Sequence, residues 1–445
     1  MNSDQSDLPI RVIERSLGPD SVINDHSRYS VDGRPIPVAV RPNNIDDISA
    51  ILTESHAQDV KVMPVGGGTR LSLGNAAQTP DIALDTTSLN QPVSINSADL
   101  TATFEAGMTL DSVQSILAEN NQFLAMDAAL SNNATIGGIL ASGTSGPLKW
   151  QYGNPRDLVL GMKVVQADGS ITKSGGQVVK NVSGYDMARL HVGGLGSLGV
   201  VCEVSFKLTP KPANEKTVLA AFDNSESCGD VALSIFNGQV TPLALNVFDR
   251  GVLSATGMSN IEGEQYLAVR LGGRPRGLAR MVDETIQASR AGGGTTIEIV
   301  DGGSALDLWR RISDFGWVDQ PPPDVVLRVS LVPNQVQTYI DAIKAPLADN
   351  APSFVASPGY GNVMVFWQSG NTNNKLESSG NAIRALRGGA VSLGGSAIIE
   401  RCPVELKSEF DVWGEAGDSI EIMRRMKQQY DPKGILNPGR FIGRI

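Results

Sequence analysis

The chain has few of the side chains that carry most acid–base and metal chemistry. Among 445 residues there are three histidines and three cysteines. Cys202, Cys228 and Cys402 are scattered, with no C-x-x-C and no metal spacing, which excludes an iron–sulfur cluster or structural zinc held by this chain and predicts a reducing compartment. Aromatic residues make up only 5 %. The net charge is −10, with no cluster of Lys and Arg, which argues against nucleic acid as a partner because phosphate contacts need concentrated positive charge. No apolar run approaches the roughly 20 residues that span a bilayer. The first residues are polar and acidic, unlike a signal peptide. The expected location is cytoplasmic, with attachment to the inner face of a membrane only through partners. No internal repeat or low-complexity tract is present.

Glycine, in contrast, is abundant, with 48 residues. It is densest between Gly175 and Val201, where backbone must come close to something. Gly194-Leu195-Gly196-Ser197-Leu198-Gly199 spells G-x-G-x-x-G. A dinucleotide fingerprint of that form needs a strand before it and a helix after it, so that the pyrophosphate meets a helix N-terminus. Here a helix-like segment, 185–191, comes first, and a β-branched run, Val200, Val201, Val204 and Phe206, comes second. The order is wrong for a Rossmann unit.

A chain this long predicts two or three units. Short helices are expected at 10–17 and 45–56, the second capped by Asn44 with Asp46 and Asp47 in its first turn. Strands are expected at 38–40, 61–65, 82–85, 101–106 and 159–167, with a helix at 110–119. Asp168-Gly169 signals a hairpin. From 213 to 399, strand-like runs (218–222, 266–271, 325–331, 363–367) alternate with helical patterns, which suits an α+β unit. A helix at 423–429 leads into a structured C-terminal turn segment. The boundaries read as 1–35, an N-terminal segment; 36–212, a first domain; 213–399, a second; and 400–445, a return to the first.

Two glycine turns invite a ligand. Val65-Gly66-Gly67-Gly68-Thr69-Arg70 follows a strand, and successive bare N–H groups in such a turn form an anion nest; a plain glycine turn is the alternative. Ser131-Asn132-Asn133-Ala134-Thr135-Ile136-Gly137-Gly138 is the second, followed by Ser142-Gly143-Thr144-Ser145-Gly146.

These turns in this order, with Lys180-Asn181-Val182-Ser183-Gly184-Tyr185-Asp186 and Gly196-Ser197-Leu198-Gly199-Val200-Val201, resemble the vanillyl-alcohol oxidase / p-cresol methylhydroxylase (PCMH-type) flavoproteins. Within that family they resemble the FAD-binding subunits of glycolate-oxidase-type complexes. The resemblance runs from about residue 38 to 210 and resumes at Asp431-Pro432-Lys433-Gly434-Ile435-Leu436-Asn437-Pro438-Gly439-Arg440-Phe441. It implies an α+β fold: a two-subdomain FAD-binding domain with an inserted α+β cap. It also implies a small 2-hydroxy acid as substrate, and a second flavoprotein subunit and an iron–sulfur subunit as partners. Alternatives are an independent FAD-dependent enzyme for another alcohol, or a flavin-binding scaffold.

The resemblance assigns cofactor contacts to Gly66, Gly67, Gly68, Thr69, Arg70, Thr135, Gly137, Gly138, Ser142 and Asn437. It assigns Gly199, Val200 and Val201 to the adenine or ribose end. Many relatives carry a covalently flavinylated histidine at the position of Thr69, so non-covalent FAD is expected. Lys180, Asn181, Tyr185 and Asp186 are catalytic or brace the glycine loops. His191 is expected to end a helix with a favourable positive charge. Related dehydrogenases resemble one another in a cap His-x-His motif, and His26, His56 and His191 all lie before the cap. Arg328, Tyr360, Glu400 and Arg401 remain as catalytic or substrate candidates, or as ordinary structural residues; an arginine fork suits a carboxylate. No metal is expected.

Overall fold

The computed structural model describes residues 7–23, 28–76, 78–177, 185–319, 321–344, 347, 350–369 and 374–445. The chain divides into two compact units. One comprises Met1–Ser145, Asn154–Pro210 and Lys407–Ile445; the other comprises Gly146–Gly153 and Lys211–Leu406.

The first unit holds two sheets. In the four-stranded sheet the order is Val22–Ile23, Val38–Val40, Ile82–Asp85, Val62–Val65, and the last three strands are parallel. Val62 and Ile82, at the starts of two neighbouring strands, are fully buried, as are Ala83 and Leu84, which is the near-continuous apolar run of a covered parallel sheet. The helices Leu8–Leu17 and Ile45–Gln58 add Val12, Ile13, Ile48, Ile51 and Leu52 to that core. Asn44 caps the second helix by accepting from the Asp47 N–H, as expected. The C-terminal stretch returns to this sheet: the Val62 N–H donates to Ile435 O at 2.7 Å, and the Asn437 N–H donates to Val62 O at 3.1 Å.

The five-stranded sheet is antiparallel, in the order Ile171–Gly175, Val159–Val165, Val200–Lys207, Thr101–Glu105, Pro92–Asn96. Asp168-Gly169 makes the expected hairpin, with Gly169 at φ 85°. One face is apolar: Ala102, Phe104, Met162, Val164, Val204 and Phe206 pack with Leu110, Val113 and Leu117 of helix Leu110–Ala118. On the other face Lys163, Glu203 and Glu105 are part-exposed, while Val165 and Val200 are buried with Ile48, Ile51 and Leu52 of helix Ile45–Gln58.

The segment before this sheet's central strand departs from expectation. Residues 185–191 are not an α-helix; only Ala188–His191 form a single 3-10 turn. Tyr185 is 93 % exposed, and too few apolar side chains face inward to hold a longer helix.

The second unit is built on an eight-stranded antiparallel sheet. Its order is Thr296–Asp301, Asn214–Phe222, Gln265–Gly273, Ala244–Asp249, Ser353–Ser357, Asn362–Trp367, Val325–Ser330, Ser396–Arg401. Leu219, Phe248, Tyr266, Val326 and Phe366 pack against Leu308, Trp309 and Ile312 of helix Gly302–Asp314. Helices Ser225–Asn237, Pro275–Ala291 and Lys375–Ser392 also contact strands of the sheet. No helix among the described residues is long and apolar enough to cross a membrane.

Candidate functional site

Strand Val62–Val65 leaves the parallel sheet at its carboxyl end directly into Gly66-Gly67-Gly68-Thr69. In open parallel sheets ligands bind there, where the loops leave the strands and the backbone is free of the ladder. A cleft opens at that point, lined by Gly66, Gly67, Gly68, Thr69 and Arg70. Thr135, Gly138 and Ser142 line it from the second glycine turn, and Asn437 from the C-terminal return. Nine residues expected at the site from three separate stretches of sequence therefore meet in one place.

The two glycine turns are packed on each other, which changes the reason for their glycines. A Cβ on Gly67 would lie 1.7 Å from Asn133 O, and one on Gly66 would lie 2.2 Å from Thr135 Oγ1. Gly67 meets the backbone of the second turn and Gly66 meets the buried Thr135 side chain, so no side chain fits at either position. Gly68 differs: it adopts φ 75°, and the nearest atom to a Cβ there is 3.7 Å away. It is glycine for conformation, not for space. Thr135 caps helix Ile136–Ser142 by accepting from the Gly138 N–H, and is 1 % exposed. The Ser142 hydroxyl donates to Gly138 O at 2.8 Å. These two hydroxyls fix the turn.

Asn437 adopts φ 46° and donates its carboxamide N–H to Leu195 O. Arg440, three residues on, lies in the C-terminal segment that carries the resemblance, but the sequence assigned it no contact at the site. Its guanidinium donates to Leu71 O at 2.7 Å and to Leu73 O at 2.5 Å, and it lines the same cleft. Burial pulls its pKa down to about 10. Lys407 holds Asp32 at 2.5 Å and Ser72 O at 2.8 Å. Among the described residues, Asn437 Oδ1 and Arg440 Nε are buried without a hydrogen-bond partner. An orphaned acceptor and an orphaned donor on cleft residues, beside a glycine cradle, fit a ligand that offers both donors and acceptors, as a flavin does. The only sequence signal for Arg440 was a cation just after Asn437-Pro438-Gly439.

Other expected residues stand elsewhere. Gly137 lies behind the cleft wall; its N–H donates to Ala106 O at 2.7 Å. Val200 and Val201 are in the antiparallel ladder opposite Val165 and Val164. A Cβ on Gly199 would lie 2.6 Å from Val164 Cγ1. Lys180 and Asn181 fall outside the described residues. Tyr185 points to solvent and Asp186 pairs with Arg189 at 2.9 Å, so neither braces a glycine loop. His191 is also corrected. It is buried against the Tyr430 ring, and burial pulls its pKa down to about 4, so the imidazole is neutral.

The candidates of the second unit have partners within that unit. Arg328 donates from Nε to Glu400 Oε1 at 2.7 Å. Arg401 lies over the Trp317 ring at 4.9 Å and donates to Gly316 O at 3.1 Å. The Tyr360 hydroxyl donates to Trp150 O at 3.1 Å. No group of three His, Cys, Asp or Glu among the described residues is placed to hold a metal ion.

Residues 36–175 match the family described as FAD binding domain, and residues 406–441 match FAD linked oxidases, C-terminal domain. These two segments carry the cleft's glycine turns and its C-terminal wall. The solved structure of p-cresol methylhydroxylase superposes with a TM-score of 0.80 at 14 % identity, covering 99 % of this chain and 97 % of that one.

The chain carries a FAD binding domain over residues 36–175 and has the fold of p-cresol methylhydroxylase.

Further similarities extend along this flavoprotein. The glycolate oxidase subunit GlcD of Bacillus subtilis is 28 % identical over 435 residues, covering 94 % of this chain and 92 % of that protein. The D-lactate dehydrogenase of Archaeoglobus fulgidus is 25 % identical over 422 residues, covering 92 % of each. A D-2-hydroxyglutarate dehydrogenase of Xanthomonas citri is 34 % identical over 216 residues, 48 % of this chain and 45 % of that protein. Threonine at position 69 leaves no imidazole there for a covalent link to FAD.

Proposed function

We propose that this flavoprotein is the FAD-binding subunit of a glycolate-oxidase-like complex, which oxidises a small 2-hydroxy acid and passes the electrons to an iron–sulfur partner. The observation that carries this reading is the similarity to the GlcD subunit along nearly the whole of both chains. The dehydrogenases of D-lactate and D-2-hydroxyglutarate among the relatives support the same substrate class.

Bound FAD supplies the acceptor for the hydride of the substrate carbon. The chain's part is to hold and shield the cofactor. Gly66 to Arg70 and the Thr135–Gly138 turn offer backbone at one side of the cleft, and Asn437 and Arg440 offer a carboxamide and a guanidinium at the other. An arginine fork suits a substrate carboxylate, and Arg328 and Arg401 are the candidates, each already engaged, with Glu400 and with Trp317 and Gly316. The hydroxyl proton needs a base, and a histidine is the usual one near neutral pH. None occurs after residue 191. Glu400 and Tyr360 are each committed to a partner. This supports slow turnover by the chain alone.

A second reading, an independent dehydrogenase of the same acids, is favoured by the equal coverage with the archaeal D-lactate dehydrogenase. Anaerobic mixing with glycolate, D-lactate or D-2-hydroxyglutarate separates the two. Flavin bleaching at full rate only with the partner subunits supports the complex; rapid bleaching of the single chain supports the independent enzyme. Absence of bleaching in both mixtures leaves a scaffold and overturns both. Acid precipitation of the holoprotein is expected to release all the flavin into the supernatant, and yellow colour retained in the pellet would contradict non-covalent FAD.

A further inference from the structure

At one end of the second unit's sheet the last three strands are Asn362–Trp367, Val325–Ser330 and Ser396–Arg401, neighbours in that order. Arg328 stands opposite Met364 on one side and opposite Ile398 on the other. Directly opposite residues share a face of the sheet, so these three side chains form one row. Two residues along the strands, on the same face, the next row is Asn362, Ser330 and Ser396. In the other direction the pairing is irregular. Leu327 faces Ile399, but Val326 faces Arg401, which leaves Glu400 as an extra residue in a β-bulge. A bulge sets two residues against one and re-aims a side chain. By alternation Arg401 belongs to the opposite face; opposite Val326 it shares the face of Arg328.

The bulge therefore gathers two arginines and a glutamate, and they are used differently. The Glu400 carboxylate accepts from Arg328 Nε at 2.7 Å, and its side chain is 6 % exposed against 27 % for Arg328. Among the described residues that is the one hydrogen bond Arg328 makes, so the edge formed by its two terminal nitrogens remains open to a ligand. Arg401, the only other cation on these three strands, lies over the Trp317 ring and donates to Gly316 O. Met364 and Ile398, flanking Arg328, are both part-exposed.

We propose that Arg328 holds the substrate carboxylate, that Glu400 is its positioning residue, and that Met364 and Ile398 select a monocarboxylate with a hydrocarbon substituent over a dicarboxylate. The inference rests on the reading of the chain as a 2-hydroxy-acid oxidoreductase and narrows its substrate to a 2-hydroxyalkanoate. A carboxylate on the two terminal nitrogens is held by two parallel charge-assisted bonds. Its substituent then lies against a thioether and a branched alkyl chain, where each methylene removed from water favours binding. A second carboxylate finds Arg401 already stacked and meets Glu400, a charge of its own sign.

The test uses the full-length holoprotein and saturated carboxylates, which carry no hydroxyl and cannot reduce the flavin. In isothermal titration calorimetry, binding is expected to tighten by about threefold per methylene from acetate through propionate to butyrate. Glutarate is expected to bind at least about tenfold more weakly than butyrate. Arg328→Met and Glu400→Ala are each expected to weaken butyrate by about tenfold or more. Glu400→Gln, whose carboxamide oxygen still accepts from Nε, is expected to recover most of that loss. Met364→Lys is expected to reverse the preference and make glutarate the tighter ligand. A gain of binding cannot come from misfolding, and flavin content reports the fold of the other variants. Glutarate bound as tightly as butyrate by the wild type overturns the proposal, and so does a Met364→Lys variant that keeps the wild-type preference. If no carboxylate binds although D-lactate bleaches the flavin, alone or with the partner subunits, this site is overturned and the functional reading stands. Absence of both binding and bleaching overturns both.

Discussion

Gly67 and Gly199 both occupy places where a side chain would collide, but with different neighbours. Around Gly67 the obstacle is the backbone of another loop, at Asn133, and the two loops together make the wall of a cleft. Around Gly199 the obstacle is a strand of its own sheet, at Val164, and Gly199 is not part of the cleft wall. Both stretches look alike in sequence. The difference teaches that glycine density marks close backbone approach, and that only the identity of the approaching partner separates a cofactor site from a tight turn.

The most severe way to break the first arrangement is Gly67→Val. The branched side chain must displace the 133–135 loop, so the purified protein is expected to lose FAD by at least about tenfold in affinity. The ratio of flavin to protein absorbance measures it, and normal flavin content would remove this loop contact from the site.

The second stretch is held from below by Lys427, which donates to Ser197 O and Leu436 O and pairs with Asp431 at 2.7 Å. Asp431 is 2 % exposed. Lys427→Met leaves that carboxylate buried and unpaired, at an expected cost of about 3–5 kcal/mol. Denaturant unfolding measures the loss. A change below about 1 kcal/mol would mean that water replaces the lysine.

His191, just before the same stretch, makes the comparison pH-dependent. Its unfolded pKa is 6.5, and burial lowers the folded value to about 4. Between those values the unfolded chain binds a proton that the folded chain refuses. Stability present above pH 6.5 is therefore lost as pH falls toward 4, by on the order of 3 kcal/mol. His191→Gln is expected to flatten that acid limb, and an unchanged limb would assign it to carboxylates elsewhere.

The smallest effect belongs to Gly68. Gly68→Ala meets only an ordinary contact with Leu71 but must hold φ 75°, so about 1 kcal/mol of strain is expected, with FAD retained. Loss of FAD equal to that of the valine variant at position 67 would make conformation, not packing, the reason for the whole glycine run.

Local chemistry made most of the strands and helices readable. Val62–Val65 announces itself by β-branching followed by glycines, and Ile45–Gln58 by the Asn44 cap. Residues 185–191 failed because helical spacing over so few residues carries little information without a partner surface, and Tyr185 has none. The glycine turns and Asn437 were readable as motifs. Arg440 was not, because a cation in a polar C-terminal segment looks like any surface arginine until Leu71 and Leu73 accept from it.

By itself, then, the sequence determined which segments could come close to a ligand, through glycine's missing side chain, and that Thr69 offers no covalent link. Only the tertiary structure decided which close approaches meet. It brought residues 66–70, 135–142 and 437–440 to one cleft and put Val200 and Val201 into a ladder. It buried His191 as a neutral ring, and it set Arg328 between Met364 and Ile398 with Glu400 on its Nε. Each of these depends on contacts between residues far apart in the chain, and burial and cross-strand register, which set charge state and neighbours, do not exist until those contacts form.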